Sequence, residues 1–103
     1  MRDTKIIDEA YLAYVRKLPC LVCGYKPSDP DHLRARGWRE AKRNDYCAIP
    51  LCRRHHVERG QYGDKKFCAT YQIGNLWEEN FYILSEYLAT RTLHGAILAS
   101  VVE

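Results

Sequence analysis

Two well-separated pairs of metal-ligand residues constrain this chain more than any other feature. They are Cys20-x-x-Cys23, followed by Gly24, and Cys52-x-x-His55. A Cys-x-x-Cys turn aims both sulfurs at one point, and the glycine after it lets the backbone fold back. Cys52 and His55 stand i, i+3 on what reads as the start of a helix, so they share one face. Together Cys20, Cys23, Cys52 and His55 form a candidate tetrahedral site for a structural Zn²⁺. Size favours such a staple. At 103 residues the chain reads as one domain, and a chain this short buries only roughly 65% of its unfolded surface. Two other readings remain: a thioredoxin-like redox pair, or unconnected buried thiols. The redox reading wants its Cys-x-x-Cys at a helix start inside a βαβ pattern, which is absent.

The compartment is expected to be cytoplasmic. The opening "MRDTKIIDEA" is charged and has no apolar core of the kind a secretory leader needs. Five cysteines is an odd number, and disulfides are disfavoured in the cytoplasm, so ligation is the better role for some of them. The late apolar run "GAILASVV" is too short to span a bilayer, and a composition of 47% hydrophobic and 28% charged residues is that of a globular protein. No membrane association is expected.

Charge is unevenly spread. Residues 26–66 carry eleven Lys and Arg against six Asp and Glu, whereas residues 74–103 carry one against four. Within the basic middle, Arg34, Arg36, Arg39, Lys42 and Arg43 fall in ten positions with a single acidic residue, Glu40. That density suits a polyanion such as DNA, although a solvated surface accounts for it equally well.

Apolar spacing at Ile6, Ile7, Ala10, Tyr11, Tyr14, Val15 and Leu18 predicts an amphipathic helix over residues 4–17, ended by Pro19. "YCAIPL" reads as a short strand leading into a helix at Cys52, with Pro50 placing it at a strand end or edge. The two glycines of "RGQYGD" are expected to break that helix. "KKFCATYQI" suggests another short helix capped by Gly74. Asn75 then opens a C-terminal helical extension over 76–102, its core stripe expected at Trp77, Phe81, Leu84 and Leu88, with a further helical segment weakened by Gly95. The extension is long enough for a homodimer through the C-terminal helices.

His56 has no place in the zinc set, because it points about 100° around the helix from His55. Asp31 and His32 lie between the two ligand pairs, so a zinc staple would draw them toward His56. A carboxylate and an imidazole can hold a divalent cation while a second imidazole acts as general base. The alternative is a surface His32 and a His56 bonded to a carbonyl; spacing alone does not decide between them.

The stretch "CLVCG…DHLRARGWREAKRNDYCAIPLCRRHH" resembles the HNH, or His-Me finger, endonucleases. It is most similar to the phage and prophage branch that includes the RecA-dependent recombination-enhancement nucleases. The matching positions are Cys20, Cys23, His32, Leu33, Arg34, Gly37, Lys42, Asp45, Pro50, Leu51, Cys52, His55 and His56. The resemblance covers residues 18–75.

It implies an α+β fold, a small ββα-metal core stapled by zinc and flanked by an N-terminal helix and C-terminal helices. One strand would carry "DHLR" and the other "CAIPL". His32 would activate water for attack on a phosphodiester; Asp31 and His56 would hold one Mg²⁺ or Mn²⁺; Arg34, Arg36, Arg39, Lys42 and Arg43 would grip DNA phosphates. The implied activity is metal-dependent DNA endonuclease or nickase chemistry, with a role in DNA recombination and a recombinase filament as partner. A zinc-stapled nucleic-acid-binding module without catalysis is the alternative. This chain departs from the pattern in three places. Cys47 stands where relatives orient the general base, leaving Asp45 or a backbone carbonyl to serve. Gly60 stands where relatives place a further histidine, and "QYGDKKFCATY" lacks the one expected after it. Cys47 and Cys68 have no role in the scheme.

Overall fold

The computed structural model describes residues 5–34 and 43–100, with side chains described to Arg91. Arg36, Arg39 and Lys42 of the basic loop, and the last residues of the C-terminal extension, lie outside them. The architecture is α+β. Helix α1 (Glu9–Lys17) precedes strand β1 (Asp29–His32); a 3-10 turn (Asp45–Cys47) leads into strand β2 (Ala48–Leu51); helices α2 (Arg53–Tyr62), α3 (Asp64–Tyr71) and α4 (Leu76–Ser100) follow. Among the described residues no helix is long and apolar enough to cross a membrane.

Helix α1 begins five residues later than the apolar spacing predicts, because the backbone before it is used elsewhere. Ile6 N–H donates to the Arg43 carbonyl at 2.8 Å, and Asp45 N–H donates to the Ile6 carbonyl at 2.9 Å. Asp8 then caps the helix, accepting from Tyr11 N–H at 3.0 Å. Glu9 in the first turn and Arg16 and Lys17 in the last complement the helix dipole.

The strands pair antiparallel, with Asp29 opposite Leu51, Pro30 opposite Pro50, Asp31 opposite Ile49 and His32 opposite Ala48. The Leu33 N–H to Cys47 carbonyl bond of 2.9 Å puts the prolines at a pair that exchanges no ladder bonds, so neither missing N–H is felt. Leu33 and Arg34 fall beyond the strand that "DHLR" was expected to form, which ends at His32. All four residues of β2 are buried, and alternate residues feed opposite cores. Ile49 and Leu51 pack with Cys20, Leu33, Phe67 and Leu76 on one face. Ala48 packs with Tyr11, Leu12, Val15, Ile83 and Tyr87 on the other. Coverage of both faces explains why this strand reads as a continuous apolar run.

Downstream, four expectations are corrected. Gly60 stays inside α2, and only Gly63, at φ +82°, ends it. A single helical glycine costs about 1 kcal/mol against alanine, too little to break a held helix. Helix α3 ends at Gln72, in the left-handed region at φ +56°, rather than at Gly74; the Ile73 N–H closes that turn on the Cys68 carbonyl at 2.9 Å. Helix α4, opened by the Asn75 side chain accepting from the N–H groups of Trp77 (2.8 Å) and Glu78 (3.2 Å), runs unbroken past Gly95. Its buried face is Leu76, Asn80, Ile83 and Tyr87; of the expected stripe Trp77 and Leu84 are half-buried against the cores, whereas Phe81 and Leu88 are 63% and 47% exposed. Asn80 decides this rotation: its amide donates to the Tyr46 carbonyl at 2.8 Å and the Ala48 carbonyl at 3.3 Å, docking α4 on the outer edge of the hairpin.

Candidate functional site

The turn after α1 carries Cys20 and Cys23. It is closed by Gly24, at φ +76°, whose N–H donates to the Cys20 carbonyl at 2.9 Å. Leu21 N–H donates to the Pro50 carbonyl at 3.0 Å, which lashes this turn to β2 two residues before Cys52. Cys52 is the N-cap of α2, but its side chain makes no cap bond. Its sulfur points to the cluster instead. Cys23 Sγ lies 3.8 Å from Cys52 Sγ, and His55 Nδ1 lies 3.6 Å from Cys20 Sγ and 3.2 Å from Cys52 Sγ. Tetrahedral zinc at standard bond lengths would space two sulfurs about 3.8 Å apart and a sulfur and nitrogen about 3.6 Å apart. All four ligand atoms lie within 4.8 Å of one another, and no other set of three or more such residues does so among the described residues. The set is compatible with zinc.

The electrostatics of the cluster's two buried thiols differ: burial pushes the Cys52 thiol up, whereas Cys20 is brought down. Burial pushes the Cys20 thiol up, but the backbone N–H groups of Cys52, Cys23 and Val22 and the His55 ring outweigh it and bring it to about 6. A sulfur so surrounded is held toward the thiolate that metals bind. Burial pushes the thiols of Cys47 and Cys68 up; Cys47 lies in the core and Cys68 at its margin, and all five cysteines are free.

The adjacent histidines turn to different partners. His55 faces the sulfurs, while His56 Nδ1 lies 3.2 Å from Asp29 Oδ2 and its Nε2 3.4 Å from Asp31 Oδ1. Asp29 and Asp31, two apart on β1, share the face toward α2. His32 leaves β1 on the opposite face. There its Nε2 meets Asp45 Oδ1 at 2.9 Å. Asp31 and His56 are therefore brought together. His32 does not join them in a common ligand set.

Asp45 is completely buried and holds four bonds. Besides His32, its oxygens accept from Arg43 Nε (2.6 Å) and Nη2 (3.1 Å) and from Asp8 N–H (2.8 Å). Burial alone would raise its pKa, but the bonds from Arg43, His32 and Asp8 win and bring it down to about 2. Arg43, expected on phosphate, is bonded here and also sits 3.6 Å from Glu9.

Arg59 was not singled out by the sequence, yet it is the strongest partner of Asp31. Its Nε and Nη2 donate to the two Asp31 oxygens at 2.5 and 2.7 Å, and its Nη1 donates to Asp64 Oδ1 at 2.5 Å. Asp31 holds the Arg59 guanidinium firmly protonated. Two signals were available: Arg59 is three residues after His56, hence on its face, and Asp29 is two before Asp31. Neither names its partner.

Comparison with known proteins adds a family. The Escherichia coli (strain K12) protein YdfU, described as uncharacterized, is 39% identical over 54 residues. That match covers 50% of this chain and 16% of YdfU, so the chain spans a small part of that relative. No solved structure matches. Residues 2–75, which carry α1, the hairpin, the Cys and His cluster and α3, match the family described as "Protein of unknown function (DUF968)", and the chain belongs to that family.

Proposed function

We propose that the chain hydrolyses phosphodiester bonds in DNA as an HNH-type endonuclease or nickase, with zinc on Cys20, Cys23, Cys52 and His55 as its staple. One observation carries this reading: the buried Asp45 carboxylate holds His32 Nε2 at 2.9 Å while the ring remains 34% exposed. With its pKa near 2, Asp45 is an acceptor only at neutral pH. Nε2 is therefore the nitrogen that donates to Asp45, and Nδ1 is the one turned away from it. A histidine held in one tautomer is suited to take a proton from an attacking water.

Asp31 and His56 are the residues that would hold Mg²⁺ or Mn²⁺, and Asp29 on the far nitrogen of His56 gives the usual outer partner of a metal-binding histidine. The fit is supported by the cation already seated there, the Arg59 guanidinium on both Asp31 oxygens. When bound, the divalent ion supplies charge neutralisation at the departing oxygen. Arg34, Arg36, Arg39 and Lys42 are assigned to phosphate contacts, and Arg43 to bracing Asp45.

The test is nicking of supercoiled plasmid by zinc-loaded protein. Activity should require added Mn²⁺ and vanish in His32→Ala at unchanged zinc content. The Arg59–Asp31 pairing also favours a second reading, a zinc-stapled nucleic-acid-binding module that does not cut. Salt-sensitive DNA binding without nicking under any divalent metal would select it.

A further inference from the structure

We propose that Arg59 is an internal competitor for the divalent cation: its guanidinium occupies Asp31 until a cation takes that carboxylate, and Asp64 retains the released guanidinium. The inference rests on the reading of Asp31 and His56 as a cation site.

The geometry is specific. Asp31 Oδ1 faces His56 Nε2 at 3.4 Å and Arg59 Nη2 at 2.7 Å, so the same oxygen serves the imidazole and the guanidinium. Mg²⁺ binds oxygen at about 2.0–2.1 Å and tolerates little distortion. A cation between Oδ1 and Nε2 would press against Nη2, and two positive groups a few ångström apart repel. Arg59 must open its fork for the cation to enter. It has somewhere to remain: Nη1 is already on Asp64 at 2.5 Å, and Asp64 is 45% exposed where Asp31 is 3% exposed. Asp64 stands in the first turn of α3, across the Gly63 junction from the end of α2. One buried carboxylate thus faces two alternative cations, and one of them has a second anchor. The arrangement lowers cation affinity and keeps Asp31 paired whenever the divalent ion is absent.

The experiment is a Mn²⁺ titration of the full zinc-loaded chain followed by electron paramagnetic resonance, which needs no substrate. Arg59→Gln should bind one Mn²⁺ about 10–100-fold more tightly than the parent, as removal of a unit charge beside the ion requires. The gain should disappear in Arg59→Gln combined with His56→Ala. Asp64→Asn keeps the fork on Asp31 and removes its second anchor, so it should bind Mn²⁺ more weakly than the parent. Should Arg59→Gln lose zinc or melt early, Arg59→Lys, which retains a charge but not the fork, takes its place with a smaller gain expected. A His56-dependent Mn²⁺ site whose affinity is unmoved or weakened by the Arg59 variants would overturn the role of Arg59 and leave the cation site standing. Absence of any His56-dependent Mn²⁺ binding, in parent and variants alike, would overturn both.

Discussion

Asp45→Asn tests the most tightly specified point in the molecule. The Asp45 oxygens are faced only by donors: His32 Nε2 and Arg43 Nε meet Oδ1, while Arg43 Nη2 and Asp8 N–H meet Oδ2. An asparagine must turn its NH₂ toward one of these pairs, leaving two donors facing a donor inside a buried site. The magnitude follows from the carboxyl's pKa, which falls from an ordinary 3.8 to about 2 because the fold favours the ionised form. At 1.36 kcal/mol per pH unit this corresponds to a stabilisation on the order of 2 kcal/mol. Because the folded pKa is depressed, that contribution is complete above about pH 4 and is lost as pH falls from there toward about 2. Urea unfolding of zinc-loaded protein should therefore show Asp45→Asn to be less stable by about 2 kcal/mol, a midpoint shift of about 1 M. The share of that gap due to the Asp45 carboxylate itself should stay constant between pH 8 and pH 5. On the proposed mechanism the variant also frees the His32 ring, and nicking should fall by about 10²–10⁴. Equal stability of the two proteins at pH 7, or a gap that closes between pH 7 and pH 5, would refute the electrostatic account of this site.

Metal content divides the adjacent histidines: Cys52→Ser and His55→Ala should lose zinc and fold poorly, since zinc binding is coupled to folding, while His56→Ala should keep its zinc by elemental analysis. His32→Ala should keep zinc content and most of its thermal stability while abolishing Mn²⁺-dependent nicking; retention of full activity would remove His32 from the mechanism. Asn80→Leu should cost about 1–3 kcal/mol in chemical denaturation by removing the donor that meets the Tyr46 carbonyl at 2.8 Å, the Ala48 carbonyl keeping the Tyr11 hydroxyl, whereas Phe81→Ala one position on, being largely exposed, should stay within about 0.5 kcal/mol of the parent.

What could be read from the sequence alone was set by local geometry. Cys20-x-x-Cys23-Gly24 and Cys52-x-x-His55 each place two ligands through a few backbone torsions, and the separation of His55 from His56 follows from the pitch of a helix. Ala48–Leu51 of "CAIPL" was legible as a strand because both of its faces are covered, which calls for an unbroken apolar run, while Cys47 closes the 3-10 turn before it. The rest was decided by groups distant in sequence. Ile6 belongs to an apolar stripe, yet its N–H and carbonyl are taken by Arg43 and Asp45, so α1 starts only at Glu9. In α4 only half of the expected apolar stripe packs: Trp77 and Leu84 lie against the cores, while Phe81 and Leu88 gave way to a face containing Asn80, whose amide meets the Tyr46 and Ala48 carbonyls. Asp31 and His32 are neighbours in the chain but leave β1 on opposite faces, one to Arg59 and His56, the other to Asp45. No spacing rule joins Arg59 to Asp31 or His32 to Asp45. Those pairs exist because a two-stranded hairpin presents one face to α2 and the other to the 3-10 turn, and a buried carboxylate on either face must find a positive or donating partner.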